Sequence, residues 1–204
     1  MEATPRIELG MEVLQTSALP LGYVAVPRRR FYRRPPPPSL AVRLWAQLAE
    51  HDFRDVMARV PAGVVIVSAR TEAGYRGLTA SSLVSISVEP PMVLVGLERE
   101  AATRAAVAEG HAFNVSVLTR SQEFLADRFA GRAPAMDPRW EGVPHHLGVN
   151  GIPLIEGCAA WLECRLVELR PAGDHDICVG EVTSATAGSG DPLILWDRAF
   201  WTLR

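Results

Sequence analysis

Apolar and polar positions alternate along most of this chain, and changes in their period mark out the elements. Beyond Ser39, which can cap a helix, Leu40, Leu44 and Leu48 and then Phe53, Val56 and Met57 recur at roughly helical spacing, predicting a helix that Pro61 and Gly63 end. The β-branched run VVIVSA, Val64 to Ala69, predicts a strand, followed by a turn at Glu72 to Gly74 and a further extended stretch to Ile86. Pro90 and Pro91 interrupt this meander, and MVLVGL, Met92 to Leu97, resumes it. A short helix is expected from Ala101 to Ala108, a strand from Phe113 to Leu118, and a helix from Gln122 to Phe129 with Ser121 as its cap and Glu123 near its positive end. A Gly- and Pro-rich loop then runs to about Pro153. After it CAAWLECRLVELR, ICVGEVTSAT and PLILW predict three antiparallel strands. Many short strands with a few short helices predict a mainly β, closed or nearly closed antiparallel barrel.

The first 39 residues break the pattern: RRRFYRR followed by PPPP favours solvated, polyproline-like backbone. Residues 1–39 therefore read as a flexible Arg/Pro-rich extension and 40–204 as one domain, with the basic cluster Arg28 to Arg34 a solvated charge run. A content of 48% hydrophobic and 22% charged residues is globular, and a net charge of −2 gives no global attraction to nucleic acid or anionic lipid. An anionic ligand must then be held by local groups. Cys158, Cys164 and Cys178 cannot all pair within one chain and sit in apolar stretches, as buried reduced thiols of the cytosol do. No stretch approaches the ~20 apolar residues of a spanning helix. The apolar run Ala18 to Val26 is broken by Pro20 and Gly22 and precedes the arginines, unlike a signal peptide. The expectation is a cytoplasmic protein without a membrane or nucleic-acid partner.

Candidate chemistry concentrates in GLTASSLVSISVEPP, Gly77 to Pro91, where Thr79, Ser81, Ser82, Ser85 and Ser87 stand in a strand-like stretch. Hydroxyls and main-chain N–H groups converging at a strand end bind a phosphate with neutral donors; a Ser/Thr-rich edge strand bonded to water is the plainer alternative. Thr103 and Arg104, at a helix start, suit the same anion site, or stand there as ordinary helix residues. Phe113 and Asn114 offer an aromatic ring and an amide to a flat heteroaromatic ligand, or a core Phe beside a satisfied Asn. His175 enters a strand at an exposed turn, placed for a ligand or simply for solvent. Neither GxGxxG nor GxxxxGK[ST] occurs, so any nicotinamide nucleotide binds without a Rossmann fingerprint or P-loop, and no GxSxG, CxxC or HExxH supports a hydrolase or a metal site.

The ordered segments FRDVMARVPAGVVIVSA, GLTASSLVSISVEPPMVLVGL, FNVSVL, DRFAGR, GIPLIEGCAAWLECRL, GDHDICVGEV and PLILW resemble the flavin reductase-like family, FMN-binding split barrels that include reductase components of two-component flavin-dependent monooxygenases. The resemblance runs from about Phe53 to Leu203. It implies an antiparallel split β-barrel, a homodimer, FMN or FAD, NADH or NADPH as co-substrate, and transfer of reduced flavin to a monooxygenase. It places Thr79, Ala80, Ser81 and Ser82 against the flavin, Ser85 and Ser87 beside its ring, and Thr103 on its phosphate. Phe113 and Asn114 match the ring-proximal strand, and His175 the position associated with the nicotinamide nucleotide. No residue is assigned acid–base chemistry. Two departures stand out: Ala101 replaces a serine that many relatives carry, and PLILWDRAFW lacks the usual glycine and tyrosine. The alternatives are an oxidoreductase that retains FMN and acts on a small organic acceptor, and a non-catalytic flavin- or haem-binding module.

Overall fold

The computed structural model describes residues 50–131 and 140–203. The expected extension over 1–39 and the helix start at Ser39 lie outside the described residues.

Helix α1 spans Glu50–Met57, and its apolar residues Phe53, Val56 and Met57 stay exposed. The strands that follow are β1 (Ala62–Gly63), β2 (Val65–Thr71), β3 (Gly74–Ala80), β4 (Val84–Val88) and β5 (Pro91–Glu98). The extended stretch expected to run unbroken to Ile86 is interrupted at Ser81 to Leu83, because β3 pairs with β2 whereas β4 pairs with β5. Alternation alone does not register such a change of partner. Helix α2 is Ala102–Gly110 and strand β6 is Ala112–Val117. A 3-10 turn, Arg120–Gln122, leads into α3, Glu123–Phe129. The cap expected at Ser121 falls instead to Thr119, which forms a capping box with Gln122, its N–H donating to Gln122 Oε1 at 3.0 Å. The loop before Pro153 carries β7 (His145–Leu147), paired with β8 (Pro153–Ile155). The three expected late strands are β9 (Ala160–Ala172), β10 (His175–Ala187) and β11 (Leu193–Trp196), and a fourth, β12 (Ala199–Thr202), follows. Asp197 and Arg198 between β11 and β12 have φ of 48° and 63°, the two-residue hairpin turn that matches strand twist.

Among the described residues the main sheet has seven strands in the order β3-β2-β6-β9-β10-β5-β4, all neighbours antiparallel. It curls back on itself: the Gly96 N–H of β5 donates to Ser82 Oγ, just past β3, at 2.9 Å. The mainly β antiparallel expectation holds. Strand β2 is buried on both faces, and this organises two cores. Val65, Val67 and Ala69 pack with Val95, Leu97, Phe113 and Val107 of α2, while Val64 and Ile66 pack with Leu118, Leu125, Phe129 and Ile155. Burying such side chains contributes about 1.5–3 kcal/mol each. The Phe113 ring lies over Gly180, where an added Cβ would come within 2.5 Å of it, so β10 needs glycine there. All three cysteines are free and buried. Burial pushes each thiol up from 9.0 to about 12, which keeps it protonated and unreactive.

Candidate functional site

A groove of about 1190 Å³ runs along the open edge of β3. Its position follows from topology: β3 ends the sheet with one edge unpaired, and α2 and the end of α3 stand on either side of it. Six of the expected site residues line it, namely Thr79, Ala80, Ser81, Ser82, Thr103 and His175. Thr79 and Ser82 are already anchored, Thr79 Oγ1 donating to the Ala126 carbonyl at 2.6 Å and Ser82 Oγ accepting from Gly96. Ala80 has its side chain in the core, leaving its main chain to the groove. Ser81 is exposed.

Thr103 comes from the first turn of α2. Ala101, the residue before that helix, has extended backbone (φ −70°, ψ 132°) and provides no side-chain cap. The helix start therefore keeps unsatisfied N–H groups and partial positive charge where Ala101, Ala102 and Thr103 line the groove. His175 opens β10 opposite Glu98 of β5, and a Cβ added to Gly96 would lie 3.7 Å from its Cδ2. Its Nδ1–H donates to Asp174 Oδ1 at 2.8 Å, which leaves Nε2 for a ligand. That bond is the main reason the exposed Asp174 carboxyl is held below the usual carboxylate value.

The other four expected residues lie elsewhere. Ser85 and Ser87 are on β4, outside the groove lining. Phe113 and Asn114 are fully buried. The Asn114 amide donates to Asn150 Oδ1 (3.1 Å) and the Ile152 carbonyl (2.9 Å) and accepts from Asn150 Nδ2 (2.6 Å), so its hydrogen bonds are used in folding. Arg104 does not add a free charge to the anion site, because its Nε donates to Asp176 Oδ2 at 2.7 Å and its Nη2 pairs with the same oxygen. Asp176, which sequence reasoning missed, is completely buried and also faces Arg99 Nε at 3.7 Å. The signal was present in β10: Asp176 is in phase with the inward Cys178 and Gly180, and an inward carboxylate requires a cation. This pair ties the first turn of α2 to the start of β10, joining Thr103 to His175.

The flavin reductase like domain model matches residues 57–204. The chain belongs to the flavin reductase-like family. This flavin reductase-like chain is 36% identical over 149 residues to the FMN reductase (NADH) SmoA of Agrobacterium fabrum, covering 72% of this chain and 83% of that one. It is 41% identical over 153 residues to the actinorhodin polyketide dimerase of Streptomyces coelicolor, covering 74% and 85%. Its fold matches the NADH:FAD oxidoreductase SgcE6 of Streptomyces globisporus, solved in complex with NAD and FAD fragments, with a TM-score of 0.70 and 33% identity over 76% of this chain and 92% of that one.

Proposed function

We propose that this chain is an NAD(P)H-dependent flavin reductase that binds FMN or FAD in the β3 groove and supplies reduced flavin to a partner monooxygenase. The observation that carries the reading is the meeting, in one groove, of an uncapped helix start with a strand end rich in hydroxyls and a histidine. These donors fit a flavin phosphate, which neutral hydroxyls and main-chain N–H groups bind without a free cation. The dinucleotide chemistry belongs to the ligands: when both are bound, a nicotinamide supplies hydride and a flavin accepts it. The chain's own residues orient. Thr103 and the first N–H groups of α2 hold the phosphate, and the Thr79–Ser82 main chain, stiffened by the Ala126 and Gly96 bonds, offers fixed donors to the flavin ring. His175 Nε2 faces the nicotinamide nucleotide.

The assembly that fits is a homodimer. Strand β4 is a sheet edge whose Val84, Ile86 and Val88 are exposed, and α1 carries a further apolar face, surfaces that a second copy would cover. No helix among the described residues is long and apolar enough to cross a membrane, and three buried free thiols suit the reducing cytoplasm.

The deciding assay follows NADH and NADPH oxidation by purified protein with and without free FMN or FAD. Turnover that saturates with added flavin is expected. A protein that binds flavin yet oxidises neither nucleotide overturns the reading. The resemblance to a polyketide dimerase at 41% identity favours a second reading, an enzyme that keeps its flavin and acts on an organic acceptor. Flavin that stays bound through gel filtration, with turnover indifferent to added flavin, would select it.

A further inference from the structure

Helix α2 and strand β10 are held in the fold by contacts that owe nothing to charge. Ala106 and Val107 of α2 are buried in the core with Val65, Val67 and Phe113. From His175 onward β10 is laddered to β5 on one side and to β9 on the other. These contacts hold the strand and the body of the helix. The first turn of α2 lies before Ala106 and begins at Ala101 without a side-chain cap, so the apolar anchors alone do not set where Thr103 and the unsatisfied N–H groups stand.

Asp176 reaches that turn from β10. Arg104, the residue after Thr103, donates from Nε to Asp176 Oδ2 at 2.7 Å and pairs with the same oxygen through Nη2. The other oxygen, Oδ1, is buried without a hydrogen-bond partner among the described residues and has Arg99 Nε 3.7 Å away. Arg99 stands in the loop that leads into α2, and its main-chain N–H donates to the Asp174 carbonyl at 3.0 Å. One carboxylate thus faces both sides of the helix start. As a source of stability the arrangement is poor, because burying a carboxylate is costly and an ion pair offsets that cost only when every oxygen is satisfied. An apolar pair of similar volume would hold the two elements together as well. None of Arg99, Arg104 and Asp176 lines the groove, so what the pair does for a ligand it does through Thr103 and its turn.

Resting on the flavin reductase reading, we infer that Asp176 is the positioning residue of the phosphate site: through Arg104 it holds the first turn of α2, with Thr103 and its N–H groups, in register with His175 at the head of β10. The test uses two full-length proteins. Asp176→Asn keeps the shape of the side chain and loses its charge. The double variant Arg104→Met with Asp176→Leu removes both charges at similar volume, and its urea midpoint is expected to be that of wild type or higher. Each is titrated with FMN and with lumiflavin, the same ring system without a phosphate. Both variants are expected to bind FMN about tenfold more weakly, the loss of one well-made hydrogen bond to a phosphate, and to bind lumiflavin as wild type does. Adding Thr103→Val should then weaken FMN by less than the product of the separate losses, because Asp176 acts through that turn; losses that multiply in full would detach it from the turn. A double variant with wild-type stability and wild-type FMN affinity overturns the positioning role, and so does a parallel loss with lumiflavin. Should both Asp176 variants fail to fold, Arg104→Lys, on the part-exposed face of α2, keeps the charge without the fork. It is expected to weaken FMN alone, and an unchanged FMN affinity overturns the role. A wild-type protein that binds no flavin overturns the flavin reductase reading itself, whereas FMN binding that is indifferent to all these substitutions removes the positioning role alone.

Discussion

Two groups of polar side chains, one on the sheet and one in the groove at its open edge, have opposite fates. In the closed group on β6 and its neighbours, Ser68 Oγ donates to the Pro153 carbonyl at 2.6 Å and Ser116 Oγ accepts from the Ile155 N–H at 3.0 Å. Asn114 is bonded to Asn150 and Ile152, and the Asn150 N–H reaches the buried Glu163 carboxylate at 3.3 Å. These bonds all run to the segment from Asn150 to Ile155, which they fasten over β6. In the groove, by contrast, no strand arrives to cover Ser81 and His175, Thr103 is buried at the helix start that lines it, and only Thr79 and Ser82 are spent on the fold. Residue type does not separate the groups. What separates them is whether another part of the chain supplies the missing partners, and where none does, a ligand can.

The sharpest way to break this comparison is Asn114→Ala. It strands the Asn150 side chain and the Ile152 carbonyl without their buried partner, so unfolding free energy should fall by about 2–3 kcal/mol. Flavin affinity measured on the folded variant should stay at the wild-type value. A urea titration beside a flavin fluorescence titration checks both, and weakened flavin binding with unchanged stability would move Asn114 from the closed group to the ligand.

The same contrast explains how much the sequence revealed. The β-branched run of β2 is legible because both of its faces are buried, the alternation in β5 and β9–β10 because one face is, and the TASS stretch because several hydroxyls follow one another at a strand end. Asn114 stayed open on its residues alone and was set by the resemblance on the ring-proximal strand, because a buried amide and a ligand-facing amide look alike until Asn150, 36 positions away, is brought beside it. Asp176 needed the strand's phase as well as its composition. The Ser121 cap failed for a local reason: two residues earlier, Thr119 has Gln122 at the spacing of a capping box and wins the helix start.

A smaller effect, of the opposite kind, is expected from Thr103→Val. The substitution keeps the shape of a side chain that is only 3% exposed and deletes its hydroxyl. Losing a hydrogen bond to a charged phosphate costs about 1.5 kcal/mol, so the Kd for FMN should rise roughly tenfold. The unfolding midpoint should scarcely move. Lumiflavin, which has no phosphate, sharpens the test, since its affinity should be indifferent to the change. A parallel loss with lumiflavin would detach Thr103 from the phosphate.

The smallest effect belongs to His175→Ala, and it tests whether the groove is divided by ligand as well as separated from the core. The side chain is exposed and its one bond is to Asp174 at the rim, so neither packing nor the sheet depends on it. Removing one partially exposed hydrogen bond to a bound nucleotide costs about 1 kcal/mol, a KM for NADH raised roughly fivefold. FMN affinity should hold, because its proposed donors come from α2 and the end of β3. Freed of the imidazole, Asp174 loses the main cause of its lowered pKa, and its carboxyl should titrate closer to the ordinary value. An NMR titration of that carboxyl verifies that the histidine's local tie has been cut. With the tie cut and the NADH and FMN terms falling together, His175 would belong to the shared frame of the groove; with NADH alone affected, it marks the nucleotide's side.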